Sequence, residues 1–344
     1  MYNVGMCGGV FEPLHRGHKN LIIQAASDCK ELYVVLSVSK CNTIDYHLRY
    51  RWLTQMTATM ENVKVIISFD NSESKDGYDW DKGCEDIRHK IGKHIDVVYV
   101  GSDYNYAGNP FETHYTDSKI VYIDRDKTEG ITSTAIRHNP YKYWNAIADE
   151  AKEYYVKKVV VLGTESCGKS TLVRNLGNYY NTVYVEEKGR DICEFAGGID
   201  NMIEEDFVEI LYKHKVDEID KTRRANKVLF IDTECYITEY YLKLQCRGEK
   251  ADRTAKLAEC IGSLNKYDLV IYLEPDVEWV QDGTRTYGEE KVRLENDRIL
   301  KEILSHAGLN YKIVNGSYRD RFTQSVELVN RLFENKKENI TDEG

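Results

Sequence analysis

Residues 2–18, YNVGMCGGVFEPLHRGH, pass from a β-rich run through a glycine-rich turn and two histidines into the start of a helical segment. Gly8, Gly9 and Gly17 fall where the backbone must turn tightly or approach a ligand closely. The helix beginning at this point offers unpaired amides and the positive end of its dipole to a phosphate. His15 and His18, three positions apart across the turn, add ring N–H donors suited to charge building on phosphate oxygens. The stretch reads as strand, phosphate cradle and helix. For either histidine alone a surface or core role is the competing reading. Zinc ligation is the other, and two histidines with no cysteine or carboxylate beside them make a poor zinc set.

Working outward, the runs LYVVLSV (32–38), VKVIISF (63–69), DVVYVG (96–101) and KIVYID (119–124) alternate with helical stretches, one of them ending near Arg51 and another following the polar, turn-rich segment 70–83. That alternation predicts βαβ units on a parallel sheet. Beyond Arg137, Pro140 stops a helix, and an aromatic-rich stretch leads into a new strand, KKVVVLG (157–163). The reading is therefore α/β with two domains: residues 1–139, a connector at 140–156, a second domain at 157–335 and a charged, fraying tail at 336–344.

The second domain opens on GTESCGKST. Gly163 to Ser170 fits G-x(4)-G-K-[ST] directly after an apolar strand and at the head of a helix, which is the context a P-loop needs. In such a loop the amides of Gly163, Glu165, Ser166, Cys167 and Gly168 cradle phosphates, Lys169 spans the β- and γ-phosphates, the Ser170 hydroxyl ligates Mg²⁺ and Thr171 borders the site. Asp232, closing the strand KVLFID, stands where a Walker B carboxylate would hold the metal, or where an ordinary turn residue would sit. In VEEKGRD, Glu187 suits a sugar hydroxyl and its proton, with Arg190 and Asp191 arranging phosphate; the alternative is a solvated charge cluster. In WVQDGTR, Asp282 and Arg285 flank a glycine turn and suit ribose and phosphate contacts, or form a charged surface turn.

Composition narrows the classes. At roughly 150 residues per domain, 344 residues predict two domains, and 42% hydrophobic residues supply a core for each. A net charge of -10 excludes the positive field of a general nucleic-acid binder. No apolar run approaches the ~18–20 residues of a membrane span, and the N-terminus lacks signal-peptide character, so a cytoplasmic location is expected. Nine cysteines, odd in number and without a CxxC pair, read as buried thiols.

Gly9, Phe11, Pro13, His15, Gly17 and His18 spell G-x-F-x-P-x-H-x-G-H, which resembles the nucleotidyltransferase superfamily of adenylyl- and cytidylyltransferases. ITSTAIR (131–137) resembles that superfamily's ISSTxxR element: Thr132 or Ser133 caps a helix, Ser133 and Thr134 offer hydroxyls, and Arg137 reaches the triphosphate. With a P-loop following, the whole chain resembles the bifunctional nicotinamide mononucleotide (NMN) adenylyltransferase and ribosylnicotinamide kinase family. The resemblance implies a Rossmann-like nucleotidyltransferase fold and a P-loop kinase fold, each with a mostly parallel sheet. It implies ATP, NMN, nicotinamide riboside and NAD as ligands, Mg²⁺ accompanying ATP, and His15, His18 and Arg137 as electrostatic clamps; a homo-oligomer is left open. The family's regulatory members carry an N-terminal helix-turn-helix module; here the catalytic strand starts at residue 2, so no DNA partner is expected. Where the family reads E-Y-[AG]-R-E, this chain has Glu187, Lys188, Gly189, Arg190 and Asp191. Trp80 suits stacking on nicotinamide or plain packing. The alternatives are the same architecture acting on another mononucleotide or nucleoside, and an adenylyltransferase whose kinase half senses nucleotide without turnover.

Overall fold

Parallel strands buried on both faces need near-continuous apolar sequence, and β2 provides it: Leu32 to Leu36 are all between 0% and 6% exposed. The computed structural model describes residues 1–70, 77–124, 131–245, 249–277 and 290–334. The chain divides into two units, Met1–Tyr155 and Val156–Gly344.

The first unit runs β1 (Tyr2–Gly9), α1 (Arg16–Asp28), β2 (Cys29–Val38), α2 (Tyr46–Met56), β3 (Val63–Phe69), α3 (Trp80–Ile91), β4 (Val97–Gly101), α4 (Pro110–His114), β5 (Lys119–Ile123), α5 (Ser133–His138) and α6 (Asp149–Lys152). Its sheet has the order β3-β2-β1-β4-β5, with all four strand pairings parallel. Because β1 lies between β2 and β4, the chain reverses its winding direction there. Open α/β sheets bind ligands outside the carboxyl ends of the strands at such a reversal, and the loop 10–15 leaves β1 at that edge.

The second unit runs β6 (Lys157–Leu162), α7 (Lys169–Tyr179), β7 (Tyr184–Val185), α8 (Gly189–Phe195), α9 (Glu204–Arg224), β8 (Val228–Asp232), α10 (Cys235–Gln245), α11 (Glu249–Leu264), β9 (Leu269–Leu273), α12 (Glu290–His306), β10 (Lys312–Val314) and α13 (Tyr318–Arg331). The order is β10-β9-β6-β8-β7, again parallel throughout. A parallel sheet puts all carboxyl ends on one edge, so the segments after β6, β7 and β8 must meet there.

The segment 140–155 packs within the first unit. Trp144, Ala146, Ile147, Ala148 and Ala151 are 0–5% exposed, Ile147 forms an antiparallel bridge with His15, and the Ala148 N–H donates to the Leu14 carbonyl at 3.1 Å. Its backbone is thus tied to the loop that carries His15, and the separation between the units falls after Tyr155. Among the described residues no helix is long and apolar enough to cross a membrane, and Cys7, Cys29, Cys84, Cys167 and Cys235 are buried thiols outside any disulfide. The tail 336–344 lies outside the described residues.

Candidate active sites

In the first unit the loop after β1 is built around His15. It is the N-cap of α1: its Nδ1 accepts the Gly17 N–H at 3.1 Å, so the ring proton sits on Nε2. The His15 ring, 2% exposed, stacks on His18 with centroids 3.8 Å apart, and Phe11 packs edge-on against His18 at 4.9 Å. Phe11 has φ +52°, and a Cβ on Gly9 would press on its ring at 3.4 Å, so the two residues shape the loop together. The ITSTAIR helix comes to the same place. Thr132 is its cap, accepting the Ala135 N–H at 3.0 Å. Ser133 Oγ donates to the Pro13 carbonyl at 3.4 Å, while Arg137 donates to the Glu12 carbonyl and to Thr134 Oγ1 at 3.2 Å. Two motifs 120 residues apart in sequence therefore share one hydrogen-bonded corner. Trp80 sits elsewhere: it begins α3, and its ring contacts are with Tyr78, Phe111 and His114, within the core cluster under β4.

In the second unit the P-loop leaves β6 at Gly163, whose φ of +145° and 2.7 Å approach of a would-be Cβ to the Leu273 carbonyl leave no room for a side chain. Ser166 at φ +62° and Gly168 at φ +82° complete the turn into α7. The Lys169 ammonium is 8% exposed and donates to the Thr164 carbonyl at 3.0 Å. Asp232, 1% exposed at the end of β8, has one carboxylate oxygen buried with no hydrogen-bond partner, and so does the Ser166 hydroxyl. Burial and the nearby Glu187 carboxylate hold the Asp232 carboxyl above its ordinary range, against Lys169, Ser170 and Arg190. An unsatisfied buried carboxylate oxygen beside a serine hydroxyl is a hard-oxygen donor set that fits Mg²⁺.

Ser166, Gly168, Lys169 and Ser170 open onto a cavity of about 240 Å³. One wall is the P-loop, including Glu165, Ser166, Ser170 and Thr171; another is Glu187 to Arg190; the rest mixes apolar side chains such as Phe207, Leu211 and Tyr241 with the polar His214, Glu218 and Glu234. Three of the residues and segments singled out in the sequence are placed as follows. Cys167 is fully buried in the core cluster behind the loop, since its side chain points away from the cavity, so only its backbone borders the site. Asp191 is exposed on α8 and does not line the cavity, unlike Arg190 one position earlier. The segment 140–156, read as a connector, is largely part of the first unit, as described above. Asp282 and Arg285 lie outside the described residues.

The sequence reading missed His214, Glu218 and Glu234. His214, on α9, faces the Asp232 carbonyl at 3.1 Å, and burial holds its imidazole below the usual range. Glu218 is 1% exposed and paired with Lys158 at 2.7 Å. Burial pushes the Glu234 carboxyl up to about 7, despite hydrogen bonds from Cys235 and the Tyr236 N–H. The signal was present: His214 and Glu218 continue the buried stripe Phe207, Ile210, Leu211 at helical spacing, a polar interruption on an apolar face.

With this geometry in hand, residues 6–139 match the cytidylyltransferase-like family and residues 158–321 the AAA domain family. The trifunctional NAD biosynthesis/regulator protein NadR of Escherichia coli (strain K12) is 30% identical over 96% of this chain and 83% of its own length. Its counterpart from Salmonella typhimurium (strain LT2) gives the same identity and shares. Crystal structures of a NadR protein in complex with NR, and with NAD and AMP-PNP, superpose with TM-scores of 0.80 at 23% identity, covering 96% and 97% of this chain and 96% of each structure. The fold is theirs throughout, and by its identity to the curated relatives the chain belongs to the NMN adenylyltransferase/ribosylnicotinamide kinase family that NadR represents.

Proposed function

We propose that the chain is an enzyme of NAD biosynthesis with two reactions, one in each unit. In the second, ATP phosphorylates nicotinamide riboside to NMN and leaves ADP; in the first, ATP and NMN give NAD and pyrophosphate. The observation that carries this reading is the presence, in one member of the NadR family, of two assembled phosphate loops, one completed by Arg137 and the other by Asp232.

In the kinase reaction the riboside lies in this cavity with its 5′-hydroxyl toward Glu187, which accepts the proton as the hydroxyl oxygen attacks the γ-phosphorus. Lys169 and the P-loop amides hold the β- and γ-phosphates, and Arg190 lies on the acceptor side. Ser170 and Asp232 would hold Mg²⁺, which neutralises phosphate charge when bound. In the transferase reaction an NMN phosphate oxygen attacks the α-phosphorus of ATP, and the bond to the pyrophosphate oxygen breaks. No covalent enzyme intermediate is needed: His15 through Nε2–H, His18 and Arg137 stabilise the charge that builds on the phosphates, and Ser133 and Thr134 orient them.

The test is product analysis by chromatography and mass after incubation with Mg-ATP and either NMN or nicotinamide riboside. NAD from both is expected. NAD from NMN alone would leave an adenylyltransferase with a non-catalytic kinase half, and NAD from neither would reject the substrate assignment.

A further inference from the structure

Each unit contains an arginine buried to 1% exposure, and each of these arginines grips a carbonyl in its own unit's phosphate loop. Arg49, on α2, donates through Nη1 to the Val10 carbonyl at 2.7 Å and the Ser37 carbonyl at 3.2 Å, through Nε to Ile44 at 3.0 Å, and through Nη2 to Asn42 Oδ1 at 2.9 Å. The Glu12 carboxylate ties the same region from the other side, accepting the Thr43 and Ile44 N–H groups at 2.6 Å each. Arg321, on α13, donates through Nη1 to the Cys167 carbonyl, through Nε to Gly316 at 2.9 Å, and through Nη2 to Glu274 at 2.8 Å and to the Asp276 carboxylate. It thereby joins the loops that follow β6, β9 and β10.

The two grips share a detail. Val10 precedes Phe11, at φ +52°, and Cys167 precedes Gly168, at φ +82°. In a planar trans peptide the C=O and the following N–H point in opposite directions. A guanidinium that fixes the Val10 or Cys167 carbonyl therefore aims the Phe11 or Gly168 N–H to the other side of the loop. It also holds that residue in a left-handed backbone which phenylalanine rarely adopts unaided. We propose that Arg49 and Arg321 are positioning residues that turn these N–H groups toward substrate phosphate. Arg49 does so for the transferase and Arg321 for the kinase, resting on the two-reaction reading above. Lysine cannot substitute, because one ammonium does not span the in-plane fork of four acceptors.

The test is R49K and R321K in the full chain, with both activities and local amide hydrogen exchange measured on each. R49K is expected to lower transferase kcat/KM by about tenfold or more, mostly in kcat, while the kinase stays within about twofold as an internal folding control. R321K is expected to do the reverse. Exchange should quicken at residues 8–14 in R49K and at 163–169 in R321K, with the remaining peptides unchanged. D276A, which removes an exposed-side partner of Arg321, should give a weaker version of the R321K pattern. Unchanged exchange at the phosphate loop, loosening spread over the whole unit, or localised loosening with full activity would each overturn the proposal. If the native chain lacks one activity, the functional reading of that unit fails, and the exchange result still decides whether the arginine sets the loop.

Discussion

His15 performs two tasks with two ring nitrogens, and they are separable by substitution. Nδ1 caps α1 through the Gly17 N–H, and Nε2 carries the proton that, in the proposed transferase reaction, would face phosphate. Alanine removes both functions. Loss of the cap costs about 0.5–2 kcal/mol, which in a unit of this size lowers Tm by roughly 2–4 °C per kcal/mol. Loss of one preorganised donor costs about 2.7–4 kcal/mol, or roughly 10²- to 10³-fold in kcat. Asparagine keeps the first task, being among the best N-caps, but its side chain ends near the depth of Nδ1, about 2 Å short of Nε2, and a misplacement of about 1 Å already costs about a hundredfold. His15→Asn should therefore match the native Tm while losing about as much transferase activity as His15→Ala, and only the alanine variant should melt earlier. Pyrophosphate release from ATP and NMN, kinase turnover on the same preparation and a thermal melt decide it. An asparagine variant that keeps most of its transferase activity, or that melts as early as alanine, refutes the division of labour.

Lys169→Ala should abolish ADP formation from nicotinamide riboside and spare pyrophosphate release, since its ammonium belongs to the P-loop alone; parallel loss of both activities in a folded protein would defeat the two-site assignment. Asp232→Asn should lower kinase kcat and raise the Mg²⁺ concentration for half-maximal rate, read by metal titration, because the amide keeps the shape and loses the charge. The Glu31 carboxyl is held at about 2, chiefly by Lys93 with Tyr33 and Lys64. A depressed carboxyl contributes stability that is present above its unfolded value near 4.5 and fades as pH falls through about 2. Lys93→Met should raise the Glu31 titration in an NMR pH series, and an unmoved midpoint would reject Lys93 as its main partner.

What was legible in the sequence was local. A strand, a glycine loop and a helix are contiguous, so GGVFEPLHRGH and GTESCGKST announced their own geometry, and the parallel order of the strands followed from their alternation with helices. What stayed hidden depends on distant partners. Arg49 and Arg321 look like surface arginines on amphipathic helices until the fold closes carbonyls around them. His214 and Glu218 matter because α9 lays them against β8, a contact no window of sequence contains. Cys167 shows the same limit inside a motif: the P-loop pattern marks its backbone, and only the fold shows its side chain packed into the core.

The packing of residues 140–155 also has a practical side for anyone dissecting or recombining this protein. Pro140 punctuates a helix, and a fragment ending there would strip Trp144, Ile147 and Ala148 from the loop that carries Leu14 and His15. Such a piece would pair an intact signature with a frayed support, and its weak transferase activity would be misread as dependence on the missing kinase. Chimeras and isolated halves should be cut between Tyr155 and Val156, where each module leaves with its own lining.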